Sequence, residues 1–283
     1  MLSTIIRYHD RARDSELSLS LFSLAGQFFR PITVHIVCQR FNDDELSHTK
    51  ALAREILSLS EDICFFVHNY TDDLPNDARS ALLNLGIKKS TKRYLAFLDY
   101  DDILYPETYQ ILISELKNTS AAIAFGGVAA KHNTVKDRAV ITEYKSHTFQ
   151  GNDLYDLFRG NFCPIHSYII DTDSANKDDT YFNETLSEFE DYYFLLRFCS
   201  RYPASFRKLN KIIADYSIKD DGSNTVSIRQ NTEEKRKRWK YAEHYISNLK
   251  NNLQISLPVQ ESLCLDPEPK LTVSSLIEKE RKV

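Results

Sequence analysis

The sequence predicts an α/β protein built on an open, mostly parallel sheet with helices on both faces. Three observations point to it. Short runs rich in β-branched and aromatic residues alternate with longer amphipathic runs through the first half of the chain. Residues 32–38 and 63–67 are almost continuously apolar, as strands covered on both faces are. A cluster of aspartates follows the fourth such run, where open parallel sheets gather their ligands.

Taken in order, residues 4–8, 32–38, 62–68 and 94–98 read as the first four strands. Leu17, Leu21, Leu24 and Phe28 make one helical stripe, and Ala51, Leu52, Ile56 and Leu59 a second. Ala78, Leu82, Leu85 and Ile87 make a third. Pro106 opens a fourth helix over residues 107–116, at a position where its missing N–H costs nothing. The second half is less regular, with strands expected at 122–130, 138–144 and 165–170 and a strong amphipathic helix at 188–200. From about residue 227 the pattern becomes a charged helix over 233–251, then a proline-containing, loosely packed tail. The domain division expected is therefore 1–226 and 227–283.

Composition narrows the function. The chain has 283 residues, 42% of them hydrophobic, enough for a substantial core. Its net charge of −4 argues against non-specific nucleic-acid binding, so no nucleic-acid partner is expected. Five scattered cysteines without a C-x-x-C pair argue against a disulfide framework or zinc knuckle and suit a reducing, cytoplasmic setting. The N-terminus is charged too early for a signal peptide, and no apolar stretch approaches the ~18 residues of a spanning helix.

The segment Tyr94-Leu-Ala-Phe-Leu-Asp99-Tyr-Asp101-Asp102 carries the most chemistry. Three carboxylates within four residues repel one another unless a cation neutralises them, and an all-oxygen set suits Mg²⁺ or Mn²⁺. Such an ion can bridge a diphosphate and stabilise it as a leaving group. An acidic turn that caps the next helix would use the same residue types. So would the D-x-D-x-T signature of haloacid-dehalogenase-type phosphatases, although that motif follows the first strand of its domain and three strand–helix units precede this one.

Several spaced segments together resemble the family 2 glycosyltransferases of the GT-A fold. Thr4-Ile-Ile-Arg-Tyr-His-Asp10 is similar to their first strand and nucleotide-contacting turn, and Arg79-Ser-Ala-Leu-Leu-Asn84-Leu-Gly86 to the segment before the metal motif. Phe97-Leu-Asp99-Tyr-Asp101-Asp102 matches the motif itself. Glu190-Asp191-Tyr-Tyr-Phe-Leu-Leu-Arg197 resembles the Glu-Asp helix, and Asp215-Tyr216 with Asp221-Gly-Ser223-Asn224 the loop that closes over the diphosphate. The end of the second strand departs from the pattern, with Cys38-Gln39-Arg40-Phe41 where acidic and small residues are usual and Asp43 and Asp44 only later.

The resemblance implies an inverting transfer of a sugar from a nucleotide-diphospho-sugar donor to a saccharide or lipid-linked acceptor. It implies Mn²⁺ or Mg²⁺ as cofactor and bacterial surface-polysaccharide assembly as the setting. Carried over, Asp101 would ligate the metal with Asp99, which would also reach ribose or a metal water, and Asp102 would support that loop. Arg7, Tyr8, Asp10 and Arg79 would line the nucleotide pocket. Asp191, beside Glu190, would be the general base, and Asn161 and His166 would contact the acceptor. Basic residues around Trp239 could rest the protein on the inner face of a membrane; a helix packed through Trp239, Ala242 and Ile246 is the other expectation. A non-catalytic sugar-nucleotide-binding domain of the same fold remains the alternative function.

Overall fold

The computed structural model describes residues 1–136, 139–146, 149–219 and 232–280. The segment Asp221-Gly-Ser223-Asn224, the 226/227 division and position 138 lie outside them. The strands are β1 (Leu2–Tyr8), β2 (Ile32–Gln39), β3 (Ile63–Tyr70), β4 (Tyr94–Asp99), β5 (Ile103–Leu104), β6 (Ile123–Lys136), β7 (Ala139–Ser146), β8 (Tyr168–Asp171) and β9 (Ala204–Lys219). The helices are α1 (Asp14–Ala25), α2 (Asp43–Leu57), α3 (Arg79–Lys89), α4 (Thr108–Lys117), α5 (Leu154–Arg159), α6 (Glu190–Arg201), α7 (Glu233–Asn252), α8 (Leu257–Ser262) and α9 (Val273–Glu280).

The strands form one sheet in the order β3-β2-β1-β4-β8-β6-β9-β5, with β7 paired to β6. β1 pairs in parallel with β2 on one side and β4 on the other. The chain therefore reverses its travel across the sheet between β3 and β4, and the crevice outside the carboxyl ends of β1 and β4 is the topological switch point. β8 runs antiparallel to both β4 and β6, and β9 runs parallel to β6.

Alternation along the strands divides the core. Leu2, Ile6 and Tyr8 of β1 and Tyr94, Ala96 and Leu98 of β4 pack with Leu17, Leu21, Leu24, Leu112 and Leu116 of α1 and α4. Ile5, Leu95 and Phe97 point the other way, against Leu82 and Ile87 of α3 and Phe194 and Leu195 of α6. Gly86 lets α3 come this close: a Cβ there would meet Ile5 Cγ2 at 2.5 Å.

Three expectations are corrected. β3 is not covered on both faces; it is the edge of the sheet, and Phe66 is 52% exposed. The tail is not loosely packed, because Ile255, Val259, Leu271, Val273 and Leu276 are buried in the same apolar cluster as α6. Third, the sixteen-residue β9 and the short α5 lie where no element was expected. In α7, Ala242 and Ile246 are buried and Trp239 packs edge-on against Phe189, so the tryptophan faces the protein. Among the described residues no helix is long and apolar enough to cross a membrane.

Candidate active site

The period of two that places Ile5, Leu95 and Phe97 toward α3 and α6 also places Arg7 and Asp99 on that face, one step further along each strand. Arg7 and Asp99 are register partners at the carboxyl ends of β1 and β4. Arg7 Nε and Nη2 donate to the two oxygens of Asp99 at 2.6 and 2.9 Å, and Nη1 donates to Glu190 Oε1 at 3.0 Å. Arg79, the first residue of α3, holds Asp77 through Nε and Nη2 and lies 3.8 Å from Glu190. Burial opposes ionisation of Asp99, but the Arg7 charge and hydrogen bonds outweigh it and hold the carboxyl below its usual range.

The other two aspartates of the cluster are also engaged. Asp102 is buried, accepts from the backbone N–H of Ser217 at 2.8 Å, and has His166 Nδ1 at 2.9 Å, off the line of a hydrogen bond. Burial disfavours the imidazolium, yet the charge of Asp102 raises the His166 pKa. The His166 side chain is 0% exposed and stacks on Tyr216. It is thus enclosed between Asp102 and Tyr216, away from the surface. Asp101 Oδ2 meets Lys219 Nζ at 2.7 Å, and the same ammonium meets Glu16 Oε1 at 2.9 Å. Burial, then the neighbouring Asp102, pushes the Asp101 carboxyl up to about 6.

This donor set does not fit the expected Mn²⁺ or Mg²⁺ as it is arranged. Asp99 gives both oxygens to Arg7, Asp102 is closed in by Ser217 and His166, and Asp101 carries an ammonium. Among the described residues no group of three or more His, Cys, Asp or Glu side chains could hold an ion. An ion on Asp101 would sit within a few ångströms of Lys219, and a divalent ion about 4 Å from an ammonium is repelled by about 8 kcal/mol at an effective dielectric of about 20.

Asp191 is the second residue of α6 and carries different chemistry. Its Oδ2 accepts from Asn161 Nδ2 at 3.0 Å and its Oδ1 from the Tyr192 backbone N–H at 2.7 Å. Burial, followed by the charge of Glu190, pushes its carboxyl up to about 7. Phe189, the N-cap residue of α6, has φ 58°, a left-handed conformation rare outside glycine and asparagine, and Glu190 and Asp191 follow it in the first turn of the helix. Asn161 also lines an open cleft of about 670 Å³, together with Phe149, Gln150, Asn152, Asp156 and Phe162. Amide groups and aromatic rings around an open cleft suit hydroxyl-rich ligands.

The remaining expected positions sort less evenly. Tyr8 is fully buried, its hydroxyl donates to Asp14 at 2.6 Å, and its ring meets Phe41 and Tyr100, so it is part of the core at the end of β1. Asp10 caps the turn at Arg11–Arg13 by accepting from Ala12 N. Asp43 and Asp44 are exposed in the first turn of α2. Arg40 clamps the loop after β3, donating to the carbonyls of Asp72, Asp73, Pro75 and Asn76. Lys219 and Glu16 were not anticipated. The alternation of buried Asp215, Ser217 and Lys219 along β9 is the signal that could have marked that face.

A family model described as glycosyl transferase family 2 matches residues 9–189, ending one residue before Glu190. No curated protein matches the chain in sequence. Among solved structures, Staphylococcus aureus TarS 1–349 in complex with UDP-GlcNAc is similar at TM-score 0.56 and 16% identity, over 92% of this chain and 78% of that one. A longer TarS chain aligns at TM-score 0.53 and 17% identity over 93% of this chain but only 47% of its own length. Mannosyltransferase PcManGT from Pyrobaculum calidifontis, in complex with GDP-Man and Mn²⁺, aligns at TM-score 0.52 and 13% identity over 99% and 79%. These likenesses show a shared GT-A architecture, and the match over 9–189 shows that the chain belongs to glycosyl transferase family 2.

Proposed function

We propose that the chain transfers a hexosyl unit from a nucleotide-diphospho-sugar to a hydroxyl of a saccharide or lipid-linked saccharide, with inversion. The observation that carries it is Asp191, a carboxylate pushed up to about 7 and tied through Asn161 to an amide- and ring-lined cleft. A base with a pKa near neutrality is suited to take a proton from an acceptor hydroxyl. As the O–H proton passes to Asp191, the acceptor oxygen forms its bond to the anomeric carbon and the bond from that carbon to the diphosphate oxygen breaks. The electron pair leaves with the nucleoside diphosphate, whose charge is met by the arginine pair Arg7 and Arg79. Glu190 holds those arginines in place and is not the base.

The donors bound by TarS and PcManGT support a nucleotide-sugar partner here. The Mn²⁺ of PcManGT supports a divalent cation at the diphosphate in folds of this kind, whereas in this chain Asp101 faces an ammonium. Surface-polysaccharide assembly in a bacterial cytoplasm rests on the family resemblance. The membrane contact proposed for α7 would have to use its exposed basic face, since Trp239 is turned to Phe189.

The test is release of nucleoside diphosphate from a panel of UDP-, GDP- and dTDP-sugars, with saccharide and lipid-linked acceptors, followed by NMR of the product's anomeric proton. Turnover with inverted configuration is expected for at least one donor. If nucleoside diphosphates bind but no donor turns over, the non-catalytic reading replaces this one.

A further inference from the structure

We propose that Lys219 is a built-in cation that takes the place of a divalent ion at Asp101, so that nucleoside-diphosphate binding by this chain is independent of divalent metal. The proposal rests on the donor-site reading above. Three separate elements deliver charged side chains to one shielded point. The turn after β4 brings Asp101, β9 brings Lys219, and α1 brings Glu16.

The lysine is not a surface residue that happens to reach a carboxylate. Its side chain is 2% exposed, its ammonium lies 5.2 Å from the centroid of the Tyr100 ring, and both of its carboxylate partners are within 3 Å. A buried ammonium persists only where such partners compensate its lost hydration. Glu16 sits on the core side of α1, where a glutamate is costly, and Arg13 lies 3.4 Å from it.

The same strand also closes the rest of the motif. Two residues before Lys219, the Ser217 N–H is on Asp102, while Arg7 takes both oxygens of Asp99. Each aspartate that could have shared an ion has a protein donor instead. Removing the ammonium would leave Asp101 and Glu16 facing each other across an empty place, with Glu16 Oε2 already lacking a hydrogen-bond partner. Two carboxylates with water and phosphate oxygens are what Mg²⁺ and Mn²⁺ commonly use.

Lys219 is thus a positioning residue, and its test reads metal dependence, which a merely structural lysine would not move. Calorimetric titration of UDP, GDP, CDP and ADP into the wild-type chain is compared in EDTA and in MnCl₂. Manganese binding itself is followed by the loss of the free Mn²⁺ electron-resonance signal, for wild type, Lys219→Ala, Lys219→Arg and Lys219→Ala with Asp101→Asn. Wild type should bind at least one nucleotide with a Kd that agrees within about twofold in the two buffers. Lys219→Ala should gain Mn²⁺ binding at least about tenfold over wild type and lose it again with Asp101→Asn, while Lys219→Arg should stay metal-independent.

Nucleotide binding by wild type that tightens tenfold or more with Mn²⁺ would overturn the proposal, and that comparison needs no variant to fold. A folded Lys219→Ala that gains no Mn²⁺ site would overturn it as well. If no nucleotide binds in either buffer, the donor reading fails, and the Mn²⁺ titrations alone still decide the role of Lys219.

Discussion

Arg7 and Asp99 are opposite one another on adjacent parallel strands, and their side chains close a two-bond pair across the switch point of the sheet. The third arm of the guanidinium reaches Glu190 at the start of α6. One residue therefore ties the ends of β1, β4 and α6 together, and the first testable consequences follow from that.

Arg7→Ala should lower stability by about 3 kcal/mol, because it leaves Asp99 and Glu190 as poorly compensated buried charges. For a chain of this size that is a melting temperature lower by roughly 6 °C or more. Asp99 is held below its usual pKa, so its pairing stabilises the fold above the unfolded pKa of about 4 and is lost as the pH falls. Arg7→Ala should accordingly flatten the acid limb of a pH–stability curve. An unchanged melting temperature would show that the pair is not holding these elements.

The rate of transfer should depend on pH through Asp191. Burial and Glu190 push its carboxyl up to about 7, and a general base acts only when ionised. Transfer should therefore fall on acidification below about pH 7, approaching tenfold per pH unit. Initial rates at fixed, saturating donor between pH 5 and 9 measure this; a flat profile would remove Asp191 from the base role.

Leu276→Ala tests the C-terminal segment. Leu276 of α9 is 2% exposed and belongs to the cluster that covers α6, so its truncation should cost about 2–5 kcal/mol. Denaturant unfolding would read this as a lower midpoint. A loosely attached tail would show almost no change.

Gly86→Ala should destabilise by about 1–3 kcal/mol through overpacking, since the added methyl meets Ile5. Ile5→Ala removes the Cγ2, Cγ1 and Cδ1 atoms that the new methyl meets, so the double variant should cost less than the sum of the two single changes in the same unfolding measurement, and full additivity would place the strain elsewhere.

Much of the donor half of this fold was legible because each element announces itself locally. β1, β2 and β4 are apolar runs bounded by helical stripes, and Asp99, Asp101 and Asp102 follow β4 directly. β3 shows the limit: its apolar run is real, but only the strand order makes it an edge. β9 escaped notice because Arg207, Lys208 and Lys211 interrupt its pattern and its main partner, β6, lies some eighty residues earlier in the chain. Its polar face, Asp215, Ser217 and Lys219, resembles a solvent face until the tertiary structure buries it against the aspartates. The surroundings of His166 are hidden from the sequence for the same reason, since its partners Asp102 and Tyr216 are distant along the chain. In the C-terminal segment, Val259, Leu271, Val273 and Leu276 are too sparse among prolines and charges to signal packing, yet they converge on α6.

The most direct test of the account is the rate of nucleoside diphosphate release from a turned-over sugar nucleotide, at saturating donor and acceptor, for wild type and Asp191→Asn. The asparagine keeps the shape and the bond to Tyr192 N–H but cannot accept a proton, so the rate should fall by about 10²–10⁴ while donor affinity changes by less than about threefold. A rate within a few-fold of wild type would contradict Asp191 as the base and, with it, the proposed mechanism of transfer.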